Sequence, residues 1–206
     1  DLDMSGLRGA GGVSAITGVR DGDERDNAVT GVTAFRIKQP SRLTGPRSGS
    51  LTTKSGVISG TNVNAHVRNV FMSASVQAPY SASSGNWSLG FIIRRGTSSG
   101  IFAINDNRNW TVNYRPDALI TEGTVVLDSG RSFDLNQTSG SSNTISILAV
   151  DNVGVIYLND ERLAYLDLTE MDGIGTASLI TSFWSDGEPV GTVANYTDFV
   201  VWSVGE

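Results

Sequence analysis

The chain has 206 residues, 39% of them hydrophobic and 17% charged, a balance that supports a sizeable globular core and excludes a disordered segment. Its formal net charge of −6 and its lack of a basic stripe exclude nucleic-acid binding as a primary role, because an acidic surface repels phosphate. No apolar run is long enough to span a bilayer, and without cysteine there are no disulfides, thiolate-metal sites or cysteine nucleophiles.

In chain order, the first feature is a repeat. Residues 2–37 align without a gap onto residues 166–201, LDMSGLRGAGGVSAITGVRDGDE against LDLTEMDGIGTASLITSFWSDGE and then AVTGVTAFRI against TVANYTDFVV. The alignment holds 11 identities, among them Asp3 with Asp167, Gly9 with Gly173, Ser14 with Ser178, Glu24 with Glu188 and Phe35 with Phe199. An average composition would give roughly two or three by chance. Residues 1–38 are therefore expected to be tail strands of a preceding tandem copy. Residues 39–46, with Pro40 and Pro46, are expected to be a linker, and 47–204 one complete domain. One domain with two similar strand pairs is the alternative. The opening residues read as mid-protein, with any export signal upstream.

Period-two alternation dominates the chain beyond the linker. Residues 66–79 form one long strand or a bent pair, with Val70, Met72, Ala74 and Val76 on the core face. Residues 86–95 place Trp87, Leu89, Phe91 and Ile93 on one side. Residues 101–106 and 109–116 read as a hairpin closed by Asn105, Asp106, Asn107 and Arg108. A strand comes next at 121–128. Residues 143–168 read as three strands with turns at Asp151-Asn152 and Asn159-Asp160. No segment has a helical period, so the expected fold is all-β, with two antiparallel sheets packed face to face.

Three pieces of the chain carry a family likeness. They are the W-x-x-G-F-x-x-R strand from Trp87 to Arg94, the three-strand run from Asn143 to Ala164, and the closing Y-x-D-F-x-V-W strand from Tyr196 to Trp202. In these the complete copy resembles the laminin G-like, concanavalin A-like jelly-roll superfamily. The resemblance implies a two-sheet jelly roll in a secreted or surface-exposed protein that binds glycans or proteins more often than it performs chemistry. Its motifs mark core strands and turns and are nearly silent on function.

Few residues carry chemistry against that background. Glycanases of the superfamily carry E-x-D-x-(x)-E on a strand, because hydrolysis needs paired carboxylates flanking the bond. The nearest match here, Glu170-Met171-Asp172, has Gly175 in place of the third carboxylate and lies where a turn is expected. His66, the only histidine, reads as a strand or edge residue and builds neither a triad nor a zinc site. Calcium is the one candidate cofactor, through Asp and Asn clusters at a loop rim. These clusters are Asp21, Asp23, Glu24 and Asp26; Asn105, Asp106 and Asn107; and, as the chosen metal pair, Asp186 with Glu188. Turn chemistry explains the same residues without an ion.

For glycan binding, rings stack on sugar C–H faces while amides and guanidiniums bond the hydroxyls. Trp110 and Tyr114 share one strand face near Asn107, Arg108 and Arg115, and Trp184 is a second candidate ring, since its counterpart in the other copy is Arg20. The competing reading puts Trp110 and Tyr114 in the core, where aromatics dominate sandwiches. The expected function is a non-catalytic extracellular or cell-surface binding or adhesion module of a bacterial tandem-repeat protein. Its expected partners are a glycan or cell-surface protein and neighbouring repeats, with no membrane insertion. A divergent glycoside hydrolase or its accessory domain is one alternative, and a structural spacer or sensor ectodomain is another.

Overall fold

The computed structural model describes residues 40–81, 83–118, 123–181 and 187–205, together with the backbone of two short strands nearer the N-terminus. Those two, β1 (Thr17–Val19) and β2 (Ala34–Arg36), pair antiparallel with each other. Twelve longer strands come after them: β3 (Ser41–Thr52), β4 (Ser59–Val67), β5 (Val70–Gln77), β6 (Ser88–Arg95), β7 (Ser99–Asn105), β8 (Asn109–Arg115), β9 (Val125–Arg131), β10 (Ser142–Val150), β11 (Val153–Leu158), β12 (Glu161–Asp167), β13 (Gly175–Thr181) and β14 (Val193–Ser203). Among the described residues the one helical element is a single 3-10 turn, Thr169–Met171.

The twelve strands form two six-stranded antiparallel sheets, ordered β12-β11-β10-β5-β14-β3 and β4-β13-β6-β7-β8-β9. The fold is an all-β jelly-roll sandwich, as the alternation requires. Val70, Met72, Ala74 and Val76 of β5 meet Leu89, Phe91 and Ile93 of β6 in one buried cluster between the sheets. A continuous cluster of this kind is what period-two patterning on two facing sheets produces.

The turns follow from local chemistry. Asn159 and Asp160 both take positive φ, 49° and 72°, which a two-residue type I′ hairpin needs and which Asn and Asp tolerate. Gly90 has no tolerated replacement of ordinary size: a Cβ there would lie 2.0 Å from the Phe102 carbonyl oxygen on the neighbouring strand.

Of the two readings of residues 66–79, one strand or a bent pair, the structure has the second: Arg68 and Asn69 turn the chain from one sheet to the other, between β4 and β5. One expectation is corrected. Residues 41–46, expected as linker, are the first half of β3 and pair with β14 (Thr44 opposite Val201, Arg42 opposite Trp202). Pro46 is tolerated there because β3 is an edge strand, where a missing donor faces no partner.

The repeat also takes an unexpected form. By the alignment, β1 falls opposite 181–183, of which Thr181 is the last residue of β13, and β2 opposite the middle of β14; β13 and β14 sit in opposite sheets. Among the described residues the N-terminal strands pair with each other, where β13 and β14 are each paired within a six-stranded sheet. The remaining residues of 1–39, including the acidic cluster at Asp21, Asp23, Glu24 and Asp26, lie outside the described residues.

Candidate functional site

The chain leaves β9 at Arg131 and crosses to β10 through residues 132–141. This crossing is built by its own side chains. Leu135 is buried and anchors it in the core. The buried Asn143 amide donates to the Asn136 carbonyl at 2.9 Å and accepts the Asn136 N–H at 2.8 Å. Asn159 donates to the Asp134 carbonyl at 2.7 Å. At the other side, the Ser132 N–H donates to the Arg108 carbonyl at 3.0 Å, and the Gln137 amide donates to the Asp106 carbonyl. The loop is thus clamped to the β7–β8 turn.

Between them lies a groove of about 730 Å³ lined by Ser81, Arg108, Phe133, Asp134, Asn136, Gln137 and Thr138, among others. Phe133 stands at its mouth with 69% of its surface exposed, which is unusual for a phenyl ring. The guanidinium of Arg108 lies 5.3 Å and that of Arg131 5.2 Å from the ring centroid, close enough for cation–π attraction to hold the ring in place. An exposed ring, the Arg108 cation, the Asp134 carboxylate, two amides and several hydroxyls therefore share one opening, with Arg131 beside the ring. Sugar recognition needs this combination, an apolar face for C–H groups beside fixed donors and acceptors.

The structure divides the residues expected to form the platform. Trp110 is buried in the core, its indole lying against Gly130, where a Cβ would come within 2.7 Å of the ring. Tyr114 is half-buried against the same core. These two rings share a face, as alternation demands, but it is the inner face, so they form no platform. Arg115 is at the far end of β8, about 20 Å from Asn109 at ~3.4 Å per residue. There burial, with nearby Arg95, lowers its pKa from the usual guanidinium value. Arg108 does line the groove, while Asn107, beside it in the turn, is exposed and its amide oxygen accepts the Asn109 N–H at 3.0 Å. Trp184 and Asp186 fall outside the described residues. The ring that the structure supplies instead, Phe133, sits in the polar run SFDLNQTSGSS, where no periodicity marks a side chain as outward.

Glu188 is buried and accepts a hydrogen bond from the Ser88 hydroxyl. Nearby, the Tyr80 hydroxyl donates to the Asn86 carbonyl, and burial raises the phenol's pKa. Asp106 is also buried, accepts the Trp87 N–H at 3.3 Å, and has its carboxyl raised by that burial. Among the described residues, no group of three or more His, Cys, Asp or Glu side chains is placed to hold a metal ion. His66 is exposed on the edge strand β4. Glu170 lies in the 3-10 turn and Asp172 just after it, where Asp172 pairs with Arg68 at 2.8 Å. The outer face of the β4–β9 sheet carries Ile92, Ile101 and Ile180, all buried, and presents no exposed aromatic among the described residues.

No protein-family model matches the sequence, and no curated protein is similar to it. Solved structures are similar in fold. The carbohydrate-binding module CBM66 from Bacillus subtilis is 10% identical, with 79% of this chain and 94% of that one covered and a TM-score of 0.52. A Bacillus subtilis protein of unknown function with a galectin-like fold is 9% identical over 82% of this chain and 90% of that one, with a TM-score of 0.55. The laminarinase catalytic domain from Thermotoga maritima is 10% identical over 77% and 78%, with a TM-score of 0.51. At these identities the likeness carries the fold alone, a two-sheet antiparallel sandwich.

Proposed function

We propose that this sandwich is a non-catalytic carbohydrate-binding module of an exported protein, and that its ligand enters the groove beside Phe133. The observation that carries the reading is the exposed Phe133 ring, fixed by Arg108 and Arg131 above a lining of amides and hydroxyls. Likeness to a carbohydrate-binding module and to a laminarinase catalytic domain agrees with a saccharide ligand, and the fold itself hosts both binders and hydrolases. The choice between them rests on carboxylates. Hydrolysis needs two of them flanking a cleft. Glu170 and Asp172 occupy a rim turn, with Asp172 engaged by Arg68. In the groove, the described carboxylate is Asp134, which accepts the Ser132 hydroxyl at 3.0 Å. These features favour binding without bond cleavage. The repeat between the two ends of the sequence supports a tandem arrangement, in which weak sites gain avidity without new contacts.

Titration of a polysaccharide panel tests the reading. Binding is expected to weaken at least tenfold in Phe133→Ala, about 1.4 kcal/mol, with an unchanged melting temperature because the ring is exposed. A panel without any ligand, or undiminished affinity in Phe133→Ala, removes the groove as the site. Sugar release that is lost in Glu170→Gln would replace binding by hydrolysis.

A further inference from the structure

Arg108 closes the three-residue loop 106–108 between β7 and β8, where its N–H donates to the Asn105 carbonyl at 2.9 Å. Its φ is 75°. Hairpin loops of this length give that left-handed place to glycine, and Asn or Asp are the usual substitutes. An arginine there is strained, and backbone outliers of this kind gather at binding sites. Arg94, also at positive φ, serves the fold, since its guanidinium bonds three rim carbonyls. The Arg108 guanidinium has no such bond. Its Nε is shut off from water without an acceptor, and among the described residues it makes no ion pair. What it meets is the Phe133 ring, 5.3 Å away, and that ring is itself mostly exposed. The fold therefore gains little from an arginine at this place.

A second arginine reaches the same ring. Arg131, exposed at the end of the edge strand β9, lies 5.2 Å from the Phe133 centroid, and it too makes no ion pair among the described residues. Both cations flank one ring, so a group held beside that ring is within the field of both. Against them stands Asp134, the one described carboxylate of the lining, which accepts the Ser132 hydroxyl at 3.0 Å. Asp106 is buried behind the turn and accepts the Trp87 N–H. Over the rest of the molecule the charge is negative, −6 in all, and repels anions. A neutral sugar asks only for the amides and hydroxyls that the lining already holds. Two guanidiniums without ion partners add a charge that an anion neutralises, and their planar forks match a carboxylate or sulfate. On the reading of the groove as a glycan site, on which this step rests, we infer that it selects acidic sugars. Arg108 and Arg131 take the carboxylate or sulfate of a sugar whose C–H face lies on Phe133.

The test titrates the whole chain with matched pairs of polymers, polygalacturonate against its methyl ester and dextran sulfate against dextran. In at least one pair the acidic member should bind about tenfold or more tightly than the neutral one, and the responding pair tells carboxylate from sulfate. The difference should shrink as ionic strength rises from about 0.02 M to about 0.5 M, where charges are screened at short range. Arg131→Gln and Arg108→Asn should each bring the two members together. Arg108→Asn should melt at or above wild type, because asparagine suits the left-handed position. Asp134→Asn, which keeps an acceptor for Ser132, should strengthen acidic binding alone. Equal binding within both pairs, lost in Phe133→Ala, would keep the groove as a glycan site and overturn its preference for acidic ones. A preference that survives Arg108→Asn combined with Arg131→Gln would put the anion elsewhere and overturn it too. Poly-glutamate bound as tightly as the preferred sugar would give the site to an acidic peptide instead. If binding of every polymer is indifferent to Phe133→Ala, the groove reading itself falls, and this preference with it.

Discussion

Asp106 shows how one residue's surroundings set its charge. Burial raises its carboxyl pKa, and the hydrogen bond from the Trp87 N–H opposes that rise without cancelling it. Above the ordinary carboxylate value of about 4, the folded state therefore holds a proton that the unfolded chain has released. Stability must fall as pH rises through that window. Asp106→Asn keeps an acceptor for Trp87 and removes the titration. Urea unfolding across mildly acidic to neutral pH should show wild type losing more stability than Asp106→Asn, and parallel curves would refute the assignment. Arg94 is the opposite case, a buried cation that stays useful. Its guanidinium donates to the carbonyls of Arg68 at 2.8 Å, Met171 at 3.0 Å and Asp151, tying three rim segments together. Burial lowers its pKa to about 10, far enough above neutrality to keep the charge. This explains the arginine that closes the W-x-x-G-F-x-x-R strand as a structural residue. At this scale the sequence was partly misleading. Alternation told which residues share a face with Trp110, but not that this face was the inner one. It said nothing of Phe133, whose exposure depends on a loop folded by Asn143 and Asn159.

Among the elements, β6 and β7 pack against each other at Gly90 without room for a side chain. Gly90 permits this, since any Cβ would strike the Phe102 carbonyl. Gly90→Ala must push the two strands apart in the middle of the sheet, at a cost of roughly 1–3 kcal/mol. Thermal melts should show the loss, and a melting temperature equal to wild type would mean that the strands have slack. Central strands such as β5, β6, β10 and β11 were legible because both of their faces and both of their edges are committed, which keeps them free of proline and dense in apolar residues. The edge strand β3, SRLTGPRSGSLT, was not legible. One ladder side suffices for it, so proline and glycine are tolerated, and most of its residues stay partly exposed. β4 alternates in SGTNVNAHV, but its core side carries small or polar residues beside Val63 and Val67, and the signal is faint.

The whole molecule closes on its last strand. β14 is the final strand in sequence, yet it sits between β5 and β3, bonded to both, and contributes Ala194, Tyr196, Phe199 and Val201 to the core. Likewise β13 joins β4 to β6 in the other sheet. Neither sheet can be completed until the C-terminal quarter is present, and each of these pairings closes a loop of about 80 residues or more. Loop closure on that scale must precede the burial that rewards it, so folding should be slow for the domain's size, on a millisecond-to-second scale or longer. It should also be cooperative, because one cluster unites both sheets. A chain ended at Thr192 leaves β3 without its only described partner and exposes one side of β5. It should show no cooperative melting by circular dichroism, while the intact chain melts in a single transition and refolds slowly in stopped-flow tryptophan fluorescence. A truncated chain that still melts cooperatively would mean that the remaining strands form a self-sufficient core. The last strand would then be an addition to the fold rather than its closure.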